Sequence, residues 1–235
     1  MCAHDTYHDI DISNCFPSLL LQVAEQQGLE CPPLKRYVEH RDAVFKQVQA
    51  EWGAGRPPLS REVLKRCFLV SLHNGDYRRN CTEGLTLTTL DTFTASLRAL
   101  GRRLVRKDDF ADLLSRLRNR EDKRNKEGTF ISWVCQRVEN MIIQELKSFF
   151  ESEGRTVGVL VFDGLMVERE GPGELPEELL RRAERHIKER TGYAVLLAEK
   201  SMKPTDTDLA AVDQKNEAGK RTMKSCQMWY RTRCQ

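Results

Sequence analysis

The sequence predicts an α+β fold, in which strands and helices in the order βαββαβ carry a long helical insertion. Three observations predict it. Residues 7–12 (YHDIDI) alternate polar and apolar side chains, residues 157–168 read as strand, turn and strand, and the stretch between them is helical in pattern. Removing residues 31–127 leaves strand, helix, hairpin, helix and strand, which is the split βαβ arrangement.

Composition describes an ordinary folded chain. The 235 residues suit one or two domains, and 40% hydrophobic with 31% charged residues is typical of a soluble protein. The net charge of +3 is too small to indicate a nucleic-acid partner by itself. Residues 98–127 nevertheless hold eleven basic and six acidic side chains. Such a run is typical of a solvated helix face, and it also suits a phosphate backbone.

The eight cysteines indicate reduced, buried thiols. No CxxC pair occurs, and several cysteines lie in apolar helical stretches, which disfavours a zinc site or a disulfide framework. No apolar run is long enough to span a bilayer and no signal peptide is present, so we expect an intracellular protein without a membrane partner. The sequence leaves open a nuclear, cytoplasmic, viral or mobile-element origin. The first strand begins about six residues after the initiator, which suggests a fragment of a longer protein.

The first strand presents two acids on one face. Asp9 and Asp11 alternate with Ile10 and Ile12, so the carboxylates point one way and the isoleucines pack the other way. A helix over residues 18–27 follows, with Pro17 in its first turn and Gly28 at its end. The structural alternative is an edge strand with solvated acids.

The insertion reads as four helices. Apolar spacing predicts them over residues 34–51, 60–73, 89–105 and 109–120, with Ser60 as the N-cap of the second and Asn74-Gly75 as its stop. Residues 76–87 read as a connection of undefined structure, and the polar stretch over residues 119–128 as an exposed loop.

The last part of the chain returns to strands. Residues 129–153 form the longest amphipathic pattern, residues 157–162 (VGVLVF) read as a buried strand, and Asp163-Gly164 is a strong two-residue hairpin signal before a strand over 165–168. A helix over 176–191, closed by Gly192, and a strand over 193–199 follow. From residue 205 onward the polar, basic sequence predicts a disordered tail.

This topology brings two acids together. Right-handed crossovers make the first and second strands parallel, with the third between them and antiparallel to both. Asp11 and Asp163 then meet at one edge of the sheet. Two carboxylates there suit a pair of Mg²⁺ ions that catalyse in-line phosphoryl transfer. The alternative reading of Asp163 is a turn residue without a function.

The second predicted helix of the insertion carries two cations on one face. Arg61 and Lys65 are four residues apart, and the same face continues to Leu69 and His73. Such a face suits a triphosphate. The alternative is a solvated helix side, with Asn74-Gly75 acting only as a helix stop.

Three stretches resemble template-dependent DNA polymerases with a right-handed palm. DISNCFPSLL (residues 11–20) resembles the first palm motif of family B, and VLVFDGLMVERE (residues 159–170) resembles the third palm motif of family A. REVLKRCFLVSLHNG (residues 61–75) is similar to the fingers helix of family A. The DxxNxxP, NG and FDG runs also resemble divergent polymerase-like proteins of mobile elements and large viruses. The resemblance covers residues 7–203.

The resemblance implies a domain plan and partners. Residues 1–30 and 128–204 would form the palm, residues 31–127 a fingers-like insertion, and residues 205–235 a basic tail. It implies Mg²⁺, with Mn²⁺ as a substitute, a DNA primer-template, a deoxynucleoside triphosphate (dNTP), and additional polymerase or replication subunits.

The resemblance also implies roles for single residues. Asp11 and Asp163, with Asp9 as a weaker candidate, would bind the catalytic metals. Arg61 and Lys65 would hold the nucleotide phosphates. The remaining candidates contact substrate: His73, Asn74 and Gly75 against the base or template, Phe16 with Pro17 under the sugar, Gln136 and Glu139 near the primer or sugar, and Lys203 near a primer phosphate.

The sequence departs from the polymerase pattern after Asp163. Family A has a second acid after the third-motif Asp and family B has one two residues after it, whereas Gly164 and Leu165 follow here, and neither an exonuclease nor a thumb region is apparent. Three other readings stay open: a nucleotide cyclase-like enzyme, an RRM-like RNA-binding module, and an inactive palm remnant. The sequence leaves DNA and RNA templates undistinguished.

Overall fold

A computed structural model describes residues 6–53, 55–120, 122–171 and 173–202 of the chain. Helices and a four-stranded antiparallel sheet make up this part, which confirms the α+β class. The strands are β1 (Tyr7–Ile12), β2 (Val157–Val161), β3 (Gly164–Glu168) and β4 (Leu197–Lys200). The helices are α1 (Cys15–Gln26), α2 (Pro32–Glu39), α3 (Arg41–Trp52), α4 (Arg61–Leu72), α5 (Tyr77–Cys81), α6 (Thr88–Leu104), α7 (Ala111–Arg118), α8 (Lys126–Ser152) and α9 (Glu177–Thr191), with a 3₁₀ turn over Asp108–Phe110.

The sheet has the strand order β2-β3-β1-β4. As predicted, β3 lies between β1 and β2 and is antiparallel to both, while β4 pairs with the other side of β1. The two outer strands are therefore β2 and β4. Identification of this sheet as a polymerase palm remains a proposal.

The two faces of β1 differ in burial. Ile10 and Ile12 are buried, whereas Asp9 and Asp11 on the alternate positions are partly exposed. Leu165, which pairs with Ile10, is also buried. Helix α8 packs against β2 and β3, and α9 packs against β4 and α8. One face of the sheet is thus covered by helices, and the acids lie on the open face.

The inserted helices surround an aromatic cluster. Tyr37 stacks on Phe68 with ring centroids 4.4 Å apart, and Phe68 meets Phe93 edge-on at 4.8 Å. The long helix α8 contacts α6 and α7 of this group as well as α1, α9 and the sheet. Helix α8 therefore packs against both the sheet and the inserted helices. The division of the chain into palm and fingers-like domains stays a prediction.

One predicted helix is two. The pattern over residues 34–51 is interrupted at His40, whose φ of −133° and ψ of 43° are not helical. Helix α2 packs against α1 and α6, whereas α3 packs against α6 and α4. Both segments pack on α6, but α2 also packs against α1 and α3 also packs against α4, so tertiary packing overrides a periodicity that reads as continuous. The stretch over residues 76–87, in turn, contains the short helix α5.

The prediction of a buried strand over residues 157–162 was wrong. The side chains at 159–161 of β2 are 36–46% exposed and Phe162 is 89% exposed. β2 is an outer strand, and a register shift between Val157 and Val159 disrupts its pairing with β3. An apolar run does not specify whether a strand lies inside a sheet or at its edge.

The hairpin loop is displaced by one residue from the predicted Asp163-Gly164. Val161 pairs with Gly164, so Phe162 and Asp163 form the loop, and Phe162 takes the positive φ of 49°. The last strand is shorter than predicted, because regular pairing with β1 begins only at Leu197.

The structure also bears on the predicted cap of α4, on the cysteines and on the predicted lack of a membrane-spanning helix. The side chain of Ser60 accepts a hydrogen bond from the Val63 amide, which confirms the predicted cap of α4. The cysteines at 15, 31, 67, 81 and 135 are unpaired thiols. No helix within the described ranges has the length and apolarity needed to cross a membrane. The predicted tail over residues 205–235 lies outside the described residues.

Candidate active site

Asp11 and Asp163 lie on adjoining segments at one end of the β1–β3 pair. Asp11 is opposite Gly164 in the ladder, and the backbone carbonyl of Asp163 accepts a hydrogen bond from the Ile12 amide at 3.0 Å. The strand ends predicted to converge do so. The two residues come from positions 152 apart in the sequence, so the sheet register alone creates this arrangement.

Gly164 permits the close approach of the two strands at this point. A Cβ atom there would lie 2.4 Å from Oδ1 of Asp11 and 2.4 Å from the carbonyl oxygen of Ile10. No side chain fits without moving Asp11 or the backbone of β1. A side chain at position 164 therefore has no room in this arrangement.

A third carboxylate, that of Glu139, lies on helix α8 near the β2–β3 hairpin. Burial raises the pKa of Glu139 on α8, and the nearby carboxylate of Asp163 raises it further. Burial likewise raises the pKa of the Cys15 thiol at the start of α1, with added contributions from Asp163 and Glu139. The carboxylate of Asp163 thus lies near both Cys15 at the start of α1 and Glu139 in the middle of α8.

The carboxylate of Asp11 is paired with a cation. Lys200 of β4 places its Nζ against Oδ2 of Asp11. The Asp11 side chain is 14% exposed, whereas the Lys200 side chain is 61% exposed. Asp9, the weaker metal candidate, pairs with Lys200 in the β1–β4 ladder and shares the open face with Asp11.

The turn from β1 into α1 places Phe16 near the end of α4. Asn14 adopts the left-handed conformation with φ of 53°, and its side-chain oxygen accepts a hydrogen bond from Arg41. The ring of Phe16 lies 4.5 Å from the ring of His73. Pro17 is buried beside it. Phe16 is therefore held between the acidic strand end and the C-terminal end of α4.

The exposed face of α4 carries the predicted phosphate-binding residues. Lys65 is exposed and forms no ion pair with a residue that the structure describes. Arg61 is already engaged: its guanidinium donates to Asp42 at 2.7 Å and lies over the ring of Phe45. Leu69, between these cations and His73 on the same face, is 43% exposed. Lys65 is thus the more available cation.

The residues after α4 hold the start of α8. His73 Nδ1 lies 2.8 Å from the Ser132 hydroxyl oxygen, and the His73 carbonyl accepts a hydrogen bond from Asn125 at 2.7 Å. Burial lowers the pKa of His73. Asn74, in the left-handed conformation with φ of 55°, contacts Glu127. The structure gives these residues a packing role, and contact with a base or template stays a prediction.

The close packing at this junction also involves two glycines. A Cβ atom at Gly75 would lie 2.9 Å from the Val70 carbonyl oxygen, and one at Gly128 would lie 2.1 Å from the His73 carbonyl oxygen. Gly75 therefore serves the helix stop that was its structural alternative.

Two of the predicted site residues remain, Gln136 and Lys203. Gln136 is exposed on α8, three residues before Glu139, so the two share a side of the helix. Lys203 lies outside the described residues. Lys200 was not predicted from the sequence as a site residue, because its contact with Asp11 depends on the pairing of β4 with β1, and the predicted strand ended at Glu199.

Two carboxylates, from Asp11 and Asp163, would suit Mg²⁺, which does not need a complete shell of protein ligands. In the parts of the chain that the structure describes, no group of three or more His, Cys, Asp and Glu side chains is arranged to hold a metal ion. Mg²⁺ commonly uses one or two carboxylates, with water and substrate phosphates completing its shell. Asp11 already attracts a cation, the Lys200 ammonium.

No protein-family model matches the chain. Over 200 residues it is 27% identical to the protein named "Putative helicase V13" of Sputnik virophage, a match that covers 83% of this chain and 24% of that protein. The chain therefore spans about a quarter of the length of this relative.

A solved structure shows weak similarity. It is the POL domain of Pol1 from M. smegmatis in complex with DNA primer-template and dNTP, with a TM-score of 0.45 and 13% identity. The match covers 82% of this chain and 38% of that one. A likeness at this level does not establish a common fold, so the site itself has to indicate the function.

Proposed function

We propose that the chain is a nucleotidyltransferase that extends the 3′ end of a nucleic-acid primer with dNTPs and uses Mg²⁺. One observation carries the proposal: Asp11 and Asp163 come from distant parts of the sequence and lie on adjoining segments at the end of the β1–β3 pair. Both positions are the acids of the polymerase-like motifs. Convergence of two such residues is required for shared metal binding and is unnecessary for two isolated turn or edge acids.

Asp11 and Asp163 would hold the metal. Bound Mg²⁺ supplies activation of the attacking oxygen and charge stabilisation on the leaving oxygen in an in-line displacement at phosphorus. The two aspartates position this charge at the end of the sheet. Gly164 keeps the space beside Oδ1 of Asp11 free of a side chain.

Lys65 and Arg61 would bind the triphosphate. Lys65 has no described ion-pair partner, so it can meet an incoming phosphate without losing an interaction. Arg61 would exchange its Asp42 partner for phosphate. Because Phe16 contacts His73, the end of α4 lies beside the strand end that carries Asp11. A nucleotide along α4 would thereby extend toward the acids.

The alternatives differ in what they require of the open sheet face. An RRM-like module needs exposed aromatic rings on its two central strands for base stacking. Here the central strands β1 and β3 present Asp9, Asp11 and Glu168 on that face, with Tyr7 as the aromatic residue. Carboxylates repel a phosphate backbone, so this reading is disfavoured. A cyclase-like enzyme would be distinguished from a polymerase by its product, a cyclic nucleoside monophosphate.

The name of the virophage relative suggests a second activity, helicase. The chain covers 24% of that protein, and its own sequence contains no GxxxxGK(S/T) run, the phosphate-binding loop of many helicases. We therefore assign no helicase activity to this chain.

Primer extension tests the proposal. The 235-residue chain is incubated with a labelled primer on DNA and on RNA templates, with Mg²⁺ and either deoxy- or ribonucleotides. Asp11→Asn and Asp163→Asn should each reduce extension by a factor of about 10³ or more, since each removes a metal ligand. Asp108→Asn, at an exposed acid in the 3₁₀ turn, is the matched control and should extend normally.

Circular dichroism and thermal unfolding show whether each variant is folded. Extension by a folded Asp11→Asn, Asp163→Asn double variant at the wild-type rate would refute the assignment. Conversion of a nucleoside triphosphate to a cyclic monophosphate, without primer extension, would support the cyclase reading instead.

A further inference from the structure

Lys200 contacts one of the two carboxylate oxygens of Asp11. Its Nζ lies against Oδ2, whereas Oδ1 faces the Gly164 backbone so closely that a Cβ atom there would be 2.4 Å away. Gly164 brings no side chain to Asp11 from β3. Among the described residues, the Lys200 ammonium group is the ion-pair partner of Asp11.

The register of β4 places Lys200 on the open face of the sheet. Lys200 is opposite Asp9 in the β1–β4 ladder, and Asp11 is opposite Ala198, whose small side chain leaves the path to Asp11 clear. From its position opposite Asp9, the lysine contacts the acid two residues further along β1. No other described cation forms an ion pair with Asp11.

The charges of Asp11 and Lys200 and their different exposure suit a reversible ion pair. The Asp11 side chain is only 14% exposed, so its negative charge benefits from a nearby cation. The Lys200 side chain is 61% exposed, so it can leave the carboxylate and remain hydrated. A mostly buried acid paired with a solvent-exposed lysine suits a contact that forms and breaks without disturbing the core.

We propose that Lys200 is a positioning residue, a resident counter-cation that occupies Oδ2 of Asp11 until a divalent ion displaces it. This inference rests on the proposed function, because it takes Asp11 to be a metal ligand. Lys200 holds the carboxylate in place in the metal-free protein and weakens metal binding by competition. The displaced ammonium group then lies next to the site, where it can meet a phosphate of the substrate.

Binding of Mn²⁺ alone tests the inference without any reaction. The free Mn²⁺ signal in electron paramagnetic resonance is titrated with the 235-residue chain in the absence of nucleotide and nucleic acid. Lys200→Met should bind Mn²⁺ about two- to fivefold more tightly than the wild-type chain, the fold-change that corresponds to loss of one partly exposed ion pair. Lys200→Arg, which keeps the charge, should bind within twofold of the wild-type affinity.

A matched control and a second readout accompany the titration. Lys188→Met alters an exposed lysine of α9 that forms no described ion pair, and it should leave Mn²⁺ affinity unchanged. In thermal unfolding, the same concentration of Mg²⁺ should raise the melting temperature of Lys200→Met more than that of the wild-type chain, because the tighter binder is stabilised more.

The outcomes separate the inference from the proposed function. Equal Mn²⁺ binding by Asp11→Asn and the wild-type chain would overturn the proposed function together with this inference. Loss of binding in Asp11→Asn, with unchanged or weaker binding in Lys200→Met, would overturn the inference alone. If Lys200→Met does not fold, Lys200→Gln replaces it in both measurements.

Discussion

Gly164 stands directly opposite Asp11 in the β1–β3 ladder, so close that an added Cβ atom would lie 2.4 Å from Oδ1 of the aspartate. The residue that follows Asp163 is thus the one that lets Asp11 lie against the neighbouring strand.

Gly164→Ala should therefore damage both stability and the site. The new methyl group also meets the Ile10 carbonyl oxygen at 2.4 Å, so the strands must separate or Asp11 must move. We expect the free energy of unfolding to fall by about 1–3 kcal/mol, a typical cost of overpacking, and primer extension to fall as well. Urea denaturation measures the first effect and the extension assay the second.

Gly171→Ala is the matched control for that substitution. A Cβ atom at Gly171 would have no neighbouring atom within 4 Å, so stability and extension should be unchanged. Wild-type stability in Gly164→Ala would show that the two strands are less closely packed at Asp11 than described here.

Lys65→Ala should weaken nucleotide binding without loss of stability. Lys65 is exposed and has no described ion-pair partner, so the free energy of unfolding should change by less than about 0.5 kcal/mol. Loss of one charge-assisted contact to a phosphate should raise the KM for dNTP by a factor of about 10 to 100. Steady-state primer extension at varied dNTP concentration provides the measurement.

Arg66→Ala serves as the control for Lys65→Ala. Arg66 is exposed at the next position, so it lies about 100° around α4 and away from the Arg61–Lys65 face. Its KM should match that of the wild-type chain. An unchanged KM in Lys65→Ala, measured on an active enzyme, would remove α4 from the nucleotide site.

Asn125→Ala should destabilise the junction between α4 and α8. The Asn125 side chain accepts a hydrogen bond from the Gly128 amide at 2.9 Å and donates one to the His73 carbonyl at 2.7 Å. Loss of a helix cap and of a bond between helices should cost about 1–2 kcal/mol in the free energy of unfolding. Asn119→Ala, at an exposed residue without a described side-chain hydrogen bond, should have little effect. Equal stability of the two variants would contradict this role.

The carboxylate of Glu199 should make stability depend on pH in the acidic range. Burial favours a higher pKa for Glu199, but its contacts with His8, the Leu175 amide and Arg169 outweigh burial and lower the pKa below the usual 4.5. A pKa that is lower in the folded chain contributes stability above pH 4.5, and this contribution is lost as the pH falls through the folded value.

Glu199→Gln isolates this contribution. Its deficit in free energy of unfolding relative to the wild-type chain should be largest near neutral pH and should shrink steadily below pH 4.5. Urea denaturation between pH 7 and pH 3 gives the profile, with the exposed Glu174→Gln as the control. A deficit that is constant over this range would show that the carboxylate charge is not what stabilises the sheet.

The sequence by itself predicted the faces of β1, the start of α4 and the position of β3 in the sheet. The alternation of Asp9 and Asp11 with Ile10 and Ile12 predicted the two faces of β1, and Ser60 predicted the start of α4. The order of elements, with the right-handed crossover rule, predicted that β3 lies between β1 and β2. These features depend on side-chain periodicity, capping and the order of elements, which can be read along the chain without knowing which side chains of distant segments meet.

What only the tertiary structure decided concerns contacts between distant segments. The exposure of β2 follows from its place at the sheet edge, and the displacement of the hairpin loop to Phe162-Asp163 follows from the pairing of Gly164 with both Val161 and Asp11. The contact between Lys200 and Asp11 follows from the register of β4. Spacing along a chain determines which face a residue occupies, but register between strands determines which residue it meets, and register is fixed by packing of the whole sheet.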